Sequence, residues 1–169
     1  MNMDFKIRRL QETDDMVQLL ALSKAFFEEY ETHHDYFFKI DSVEYEDISG
    51  YFNSWLNNDN KAAFLALLDD RIIGYITVYV KNQASFWKIK QIADISGLMV
   101  EKSMRKYGVA SELMKAAMAF LIDKKIDFFT LFTSSNNIEA IEFYKKIGME
   151  TLYTHLMGSV NNTVLKIIS

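Results

Sequence analysis

Two stretches of this 169-residue chain hold residues whose types and spacing could do chemistry. The first, Leu98 to Leu113, reads LMVEKSMRKYGVASEL: a strand runs out, a basic turn follows, and a helix opens on small residues. Backbone N–H groups in the first turn of a helix have no intrahelical partner and carry partial positive charge, so such a junction suits a phosphate. Gly108 and Ala110 let a ligand approach the backbone closely, and Arg105 and Lys106 add full charges beside it. No Gly-Lys-Ser/Thr ends the turn, so it is not a Walker loop, and its single glycine is too few for a dinucleotide fingerprint. By itself the turn fits a phosphate cradle and an ordinary strand–helix connection equally well. The second stretch, Asn137 to Met149 (NIEAIEFYKKIGM), sets Tyr144 on an amphipathic helix. A phenol there can donate a proton or simply fill a core.

Taken together, the two stretches resemble the GCN5-related N-acetyltransferase (GNAT) family. Arg105-Lys-Tyr-Gly108-Val-Ala110 is similar to that family's Arg/Gln-x-x-Gly-x-Gly/Ala acyl-CoA motif. Asn137-Ile-Glu-Ala140-Ile-Glu-Phe143-Tyr144, closing on Lys146-Ile-Gly148-Met149, is similar to its Asn-x-x-Ala-x-x-x-Tyr helix and Lys-x-Gly-aromatic turn. The element order matches over the whole chain, and the residue match runs from about Ala93 to Met149. Three positions depart from the pattern. Lys106 stands where glycine is frequent, Tyr107 is bulky for a tight loop, and Met149 replaces the usual phenylalanine. A positive φ at Lys106 or Tyr107 would be strained.

The resemblance implies acetyl-CoA as co-substrate, with no metal, and direct transfer to a primary amine in a ternary complex. The backbone amides of Arg105, Lys106, Tyr107, Gly108, Val109 and Ala110 would wrap the pyrophosphate. The strand Leu98-Met99-Val100 would pair with the pantetheine arm, and Asn137 would contact that arm from the other side. Tyr144 would be the general acid for the departing thiolate. Asp94, six residues before Val100, stands where the histone-acetylating branch of the family has a glutamate, which makes it a candidate base. Glu44, Glu46, His33, His34 and His155 are alternatives. The chain has no cysteine, so no thiolate can carry an acyl intermediate. A longer acyl donor, or a non-catalytic acyl-CoA sensor or interaction module, is the competing reading.

The elements that must position these residues follow from periodicity. Phe5 to Leu10 reads as a strand, followed by a helix to about Tyr30 with Thr13 as N-cap. Asp41 to Asn58 reads as one or two helical pieces interrupted at Gly50. Ala62–Leu68, Ile72–Val80 and Ile92–Val100 are strand-like, and Gly97 suggests a bulge. Tyr107–Lys124 is a helix, Phe128–Phe132 a buried-type strand, and a second helix capped by Asn136 ends at Gly148. Met149–Met157 and Thr163–Ile168 read as a closing pair of strands. The class is α/β or α+β in one domain. With the resemblance it becomes a mixed, mostly antiparallel sheet with splayed central strands, flanked by helices.

Composition sets the remaining limits. Half the residues are hydrophobic and 25% are charged, which suits a packed globular chain. The net charge of −4 lacks the basic excess of a nucleic-acid binder. No apolar run approaches the roughly 18 residues of a membrane span, and no leader is apparent, so a cytoplasmic location is expected. Between Phe26 and Asn60, nine acids face a single base, Lys39, among many aromatic rings. That balance suits a cationic amine such as a polyamine, an aminoglycoside-like amine or a lysine side chain. Nothing places histidines and carboxylates at metal-ligand spacing. A homodimer paired through the final strands would be in keeping with the resemblance.

Overall fold

The computed structural model describes residues 4–167, in two compact units. The first ends at Asn136 and the second begins at Asn137.

The first unit is built on a five-stranded sheet in the order β1-β2-β3-β4-β5. Its strands are β1 (Lys6–Arg9), β2 (Lys61–Leu68), β3 (Arg71–Asn82), β4 (Gln91–Val100) and β5 (Phe129–Leu131). All neighbours run antiparallel except β4 and β5, which are parallel. β3 is central and carries an almost unbroken apolar run. Ile72 to Val78 are all buried, as expected of a strand covered on both faces.

Helices α1 (Met16–Glu31) and α2 (Tyr45–Asn53) cover one face, where Leu19, Ile48, Phe52 and Trp55 pack on Leu65, Tyr75 and Met99. Helix α3 (Val109–Asp123) covers the other, burying Val109, Leu113, Met114, Ala117 and Leu121. Gly74 makes the close packing of β3 on β4 possible. A Cβ at that position would lie 2.8 Å from the Met99 carbonyl oxygen and 3.3 Å from Leu113.

Several boundaries differ from the sequence expectation for identifiable reasons. Asp15, not Thr13, caps α1, its carboxylate accepting the Val17 N–H at 2.8 Å. Asp14 turns back to the Arg8 guanidinium (2.8 Å for one of the two bonds) and the Gln11 N–H. Burial of Asp14 favours its neutral form, but those bonds outweigh it and hold the carboxyl below its ordinary value. α2 runs straight through Gly50. A mid-helix glycine costs only about 1 kcal/mol, and buried Ile48 and Phe52 with the Glu44–Asp47 capping box offset it. α3 begins at Val109 rather than Tyr107 because Gly108 is left-handed. β5 is shorter than Phe128–Phe132, and both of those end residues are exposed.

The second unit contains α4 (Ile138–Lys146) and α5 (Val160–Ile167). Asn137 caps α4, not Asn136, and Gly148 at φ +96° provides the left-handed exit. The expected closing strands are absent from the described residues. Residues 149–159 form no regular element, and the second of the pair falls in a helix. Strand propensity yields a strand only where a ladder partner exists. The other segment carries Val160, Thr163, Val164 and Ile167 at helical spacing, a signal stronger than its short alternation. Ile168 lies outside the described residues.

Candidate functional site

The strand-to-helix junction has the geometry of an anion cradle. β4 ends at Val100, the Glu101 N–H bonds to Ile73 O at 2.9 Å, and a single 3-10 turn spans Lys102–Met104. Lys106 and Gly108 then both adopt left-handed conformations, at φ 68° and 86°. Glycine does this without strain, whereas lysine does it at a cost of about 1–2 kcal/mol. The sequence expectation of a strained amide therefore falls on Lys106 and not on Tyr107. No side chain caps α3, so the N–H groups at its start are left for another acceptor. Nothing lies within 4 Å of where a Gly108 Cβ would stand, so the space over this turn is open.

The edge of β4 next to that cradle is also free. The β4–β5 ladder covers only Ala93–Ile95 against Phe129–Leu131, while β4 continues to Val100. Leu98, Met99 and Val100 are paired on their other side, with Ile76, Tyr75 and Gly74. Their side chains pack into the sheet faces, and Met99 and Val100 are buried. What they offer towards the gap is backbone N–H and C=O, the groups an extended amide-bearing arm can pair with.

Arg105 is engaged differently from the expectation of a charge standing free beside the phosphate turn. Its guanidinium makes a two-pronged pair with Glu29 of α1 at 2.9 and 2.5 Å, and its Nε–H donates to Val100 O at 3.2 Å. The side chain thus ties α1 to the end of β4 and the start of the turn. The hydrogen bonds from Arg105 hold the Glu29 carboxyl below its ordinary range, against the opposing effect of burial. A depressed carboxylate pKa contributes stability that is complete above the unfolded-state value and is lost as pH falls through the folded-state value. Glu29→Gln should therefore be less stable than the parent at pH 7, and the gap should close as pH drops below about 4. Urea unfolding at several pH values measures it, and a pH-independent gap would mean that packing, not charge, holds α1 here.

Asp94 sits in a closed arrangement. Its Oδ2 accepts from both Lys81 Nζ and Thr130 Oγ1 at 2.9 Å, linking β3, β4 and β5. The other acids near the N-terminal helices divide into two groups. Glu31 accepts the Ile40 N–H, Glu44 and Asp47 close the N-terminus of α2, and Glu29 holds Arg105. Glu28, Asp35, Asp41, Glu46 and Asp59 remain exposed. His34 accepts the N–H groups of Tyr36 and Phe37 through Nδ1, which makes it a turn-former. His33 is half-buried beside Tyr30, its carbonyl receiving the Asn136 side chain at 2.7 Å. His155 lies in the irregular segment before α5.

In the second unit, the Asn137 side chain accepts the Ala140 N–H at 3.3 Å, and Tyr144 is half-buried two turns into α4 with its ring 5.4 Å from that of Phe143. A surface groove of about 540 Å³ lies between β1 and α3, lined by Arg9, Glu112, Lys115 and Phe120 among others. Among the described residues no cluster of three His, Cys, Asp or Glu could hold a metal, and no helix is long and apolar enough to cross a membrane. The Glu29–Arg105 pair was invisible in the sequence. Its members lie 76 residues apart, and nothing local marks Glu29 among its acidic neighbours.

Comparison with known proteins agrees with this geometry. Residues 21–149 match the model of the acetyltransferase (GNAT) family. An N-acetyltransferase of Archaeoglobus fulgidus is 24% identical over 139 residues, covering 82% of this chain and 88% of that protein. Among solved structures, the aminoglycoside N-acetyltransferase AAC(6')-Iy in complex with CoA superposes with a TM-score of 0.74 at 18% identity, over 92% of this chain and 94% of that one. An aminoglycoside acetyltransferase from an uncultured soil metagenomic sample, in complex with sisomicin, does so with 0.68 at 26% identity, over 92% and 96%. The chain belongs to the GNAT family and is an acyl-CoA-dependent N-acetyltransferase.

Proposed function

We propose that this GNAT-family enzyme moves an acetyl group from acetyl-CoA directly to a primary amine of a cationic acceptor. The observation that carries the reading is the parting of β4 from β5 after Ile95, beside an uncapped helix start reached through two left-handed residues. The cradle from Arg105 to Ala110 suits a pyrophosphate, and the unpaired edge of Leu98, Met99 and Val100 suits the two amides of a pantetheine arm. The family resemblance assigns Asn137 to that arm as well.

When bound, acetyl-CoA supplies a thioester carbonyl open to attack by nitrogen. Free N–H groups along β4 stabilise charge on the carbonyl oxygen, and one such donor typically contributes ~10²–10³ in rate. Tyr144 gives the sulfur its proton as the C–S bond breaks. Asp94 stays a candidate base in this reading: Lys81 and Thr130 both donate to its Oδ2, and Oδ1 is the oxygen that would take the proton.

The cationic acceptor is supported by the exposed acids of the α1–α2 region and by the rings among them. It is supported as well by the structural neighbours that are aminoglycoside acetyltransferases. Thermal unfolding with acetyl-CoA at ~100 times its dissociation constant should raise the midpoint by roughly 5–10 °C. Thiol release should follow with sisomicin or spermine and should be absent with a neutral amide of similar size. A protein that binds acetyl-CoA but acetylates only neutral or acidic acceptors would overturn the charge assignment.

A further inference from the structure

β4 carries a bulge where its ladder with β5 ends. Thr77 pairs with Gly97 and Val78 with Ile95, so Ser96 is the extra residue. Ile95 is also the last β4 residue paired to β5, against Leu131. The bulge turns Ser96 and Gly97 to the same face, the one covered by α2, where they meet Tyr51.

Three hydroxyls converge there. Tyr51 Oη lies 2.9 Å from Thr77 Oγ1 and 3.1 Å from Ser96 Oγ, and the two smaller hydroxyls are 3.0 Å apart. Thr77 Oγ1 is also 3.5 Å from Gly97 O. Thr77 is completely buried on the central strand, whereas Ser96 is exposed and Tyr51 is 37% exposed. The triangle therefore has one dry corner and two that reach solvent. The backbone at Gly97 is closely covered. A Cβ there would come within 3.2 Å of Thr77 Oγ1, 3.3 Å of the Tyr75 ring and 3.9 Å of Tyr51 Oη.

We propose that the Tyr51–Thr77–Ser96 hydroxyl triangle is the seat of the acceptor nitrogen and the route by which its proton leaves. The proposal rests on the amine-acceptor reading above. Each hydroxyl has one proton to donate and two lone pairs, so a chain in which Thr77 donates to Ser96 and Ser96 to Tyr51 leaves the Tyr51 proton for water and a lone pair on Ser96 for an incoming N–H. A primary amine at the solvent-facing corners, Ser96 and Tyr51, would lie at the start of the free β4 edge. As its nitrogen forms the new N–C bond it loses one proton to Ser96 Oγ. Ser96 passes its own proton to Tyr51 Oη, and Tyr51 passes one to water. Every hydroxyl of the triangle ends with the single proton it began with, one proton has moved from nitrogen to solvent, and solvent returns one to Tyr144 after it has protonated the departing sulfur. Ser96 and Tyr51 touch the acceptor. Thr77 does not, and acts as a positioning residue that fixes the other two.

The experiment measures kcat and KM for sisomicin, spermine and a short peptide with a free N-terminus, at saturating acetyl-CoA. Tyr51→Phe and Ser96→Ala should each lower kcat by about 10–100-fold with the acetyl-CoA thermal shift unchanged. Thr77→Val should do the same, and Thr77→Ser, which restores the hydroxyl, should recover most of the loss. Parent-like kcat in Tyr51→Phe and Ser96→Ala overturns the triangle alone. So does a Thr77→Ser variant as slow as Thr77→Val. A parent enzyme that binds acetyl-CoA but turns over none of the three amines overturns the acceptor reading and the triangle together.

Discussion

Tyr144→Phe is expected to lower turnover by about 10²–10³-fold at neutral pH while leaving the acetyl-CoA thermal shift intact. The substitution removes one oxygen and keeps the ring, so the packing on Phe143 at 5.4 Å survives. The backbone around it is fixed independently, by the Asn137 cap at one end of α4 and by left-handed Gly148 at the other. The loss should depend on pH in a way that packing damage would not. An alkyl thiol has an ordinary pKa of about 8.5, so below that value the leaving sulfur gains from a proton donor and above it the gain fades. The deficit of Tyr144→Phe should therefore be largest near pH 7 and shrink towards pH 9. A uniform deficit across that range, with a raised KM for acetyl-CoA, would make Tyr144 a packing residue and not an acid.

The sequence made some of this architecture legible and hid the rest for physical reasons. Local signals with a backbone cause were readable. Gly148 closes α4 because that turn needs φ > 0. Gly97 marked the bulge because side-chain space is lacking there. The basic turn before α3 announced itself through Arg105, Lys106 and Gly108 together. Signals that depend on distant partners were not readable. The choice between Thr13 and Asp15 as cap turned on Arg8 drawing Asp14 away, and Gly50 was tolerated because Phe52 has a fully buried site to fill. The acidic sum between Phe26 and Asn60 concealed its own division of labour. Four of those acids make structural bonds and five make none among the described residues; Glu44 and Asp47 do so locally, in the capping box of α2, whereas the role of Glu29 depends on a partner 76 residues away. The closing strands failed for a related reason. Residues 149–159 have strand-like composition, with Leu152, Tyr153, Leu156 and Met157 exposed and no ladder among the described residues.

Gly108→Glu should abolish the stabilisation by acetyl-CoA, a loss of about 2.7 kcal/mol of ligand effect at ~100 times the dissociation constant of the parent. The site is favourable for a clean test because nothing lies within 4 Å of the new Cβ. The cost to the apo protein comes from the backbone. A side chain at φ 86° is strained by about 1–2 kcal/mol, and a carboxylate at the start of α3 returns about 0.3–1 of that through the helix dipole. The same attraction is what defeats the ligand, since the carboxylate takes the N–H groups and repels a pyrophosphate. Gly108→Ala separates the two effects, carrying the strain without the charge. It should be destabilised by about 1–2 kcal/mol and still respond to acetyl-CoA. If the glutamate variant keeps a parent-like thermal shift, the phosphates do not sit on this turn, and the free edge of β4 loses the anchor that aligns a thioester along it. If both variants lose the shift equally, the left-handed backbone at Gly108 is what the ligand requires and electrostatics at the helix start is secondary.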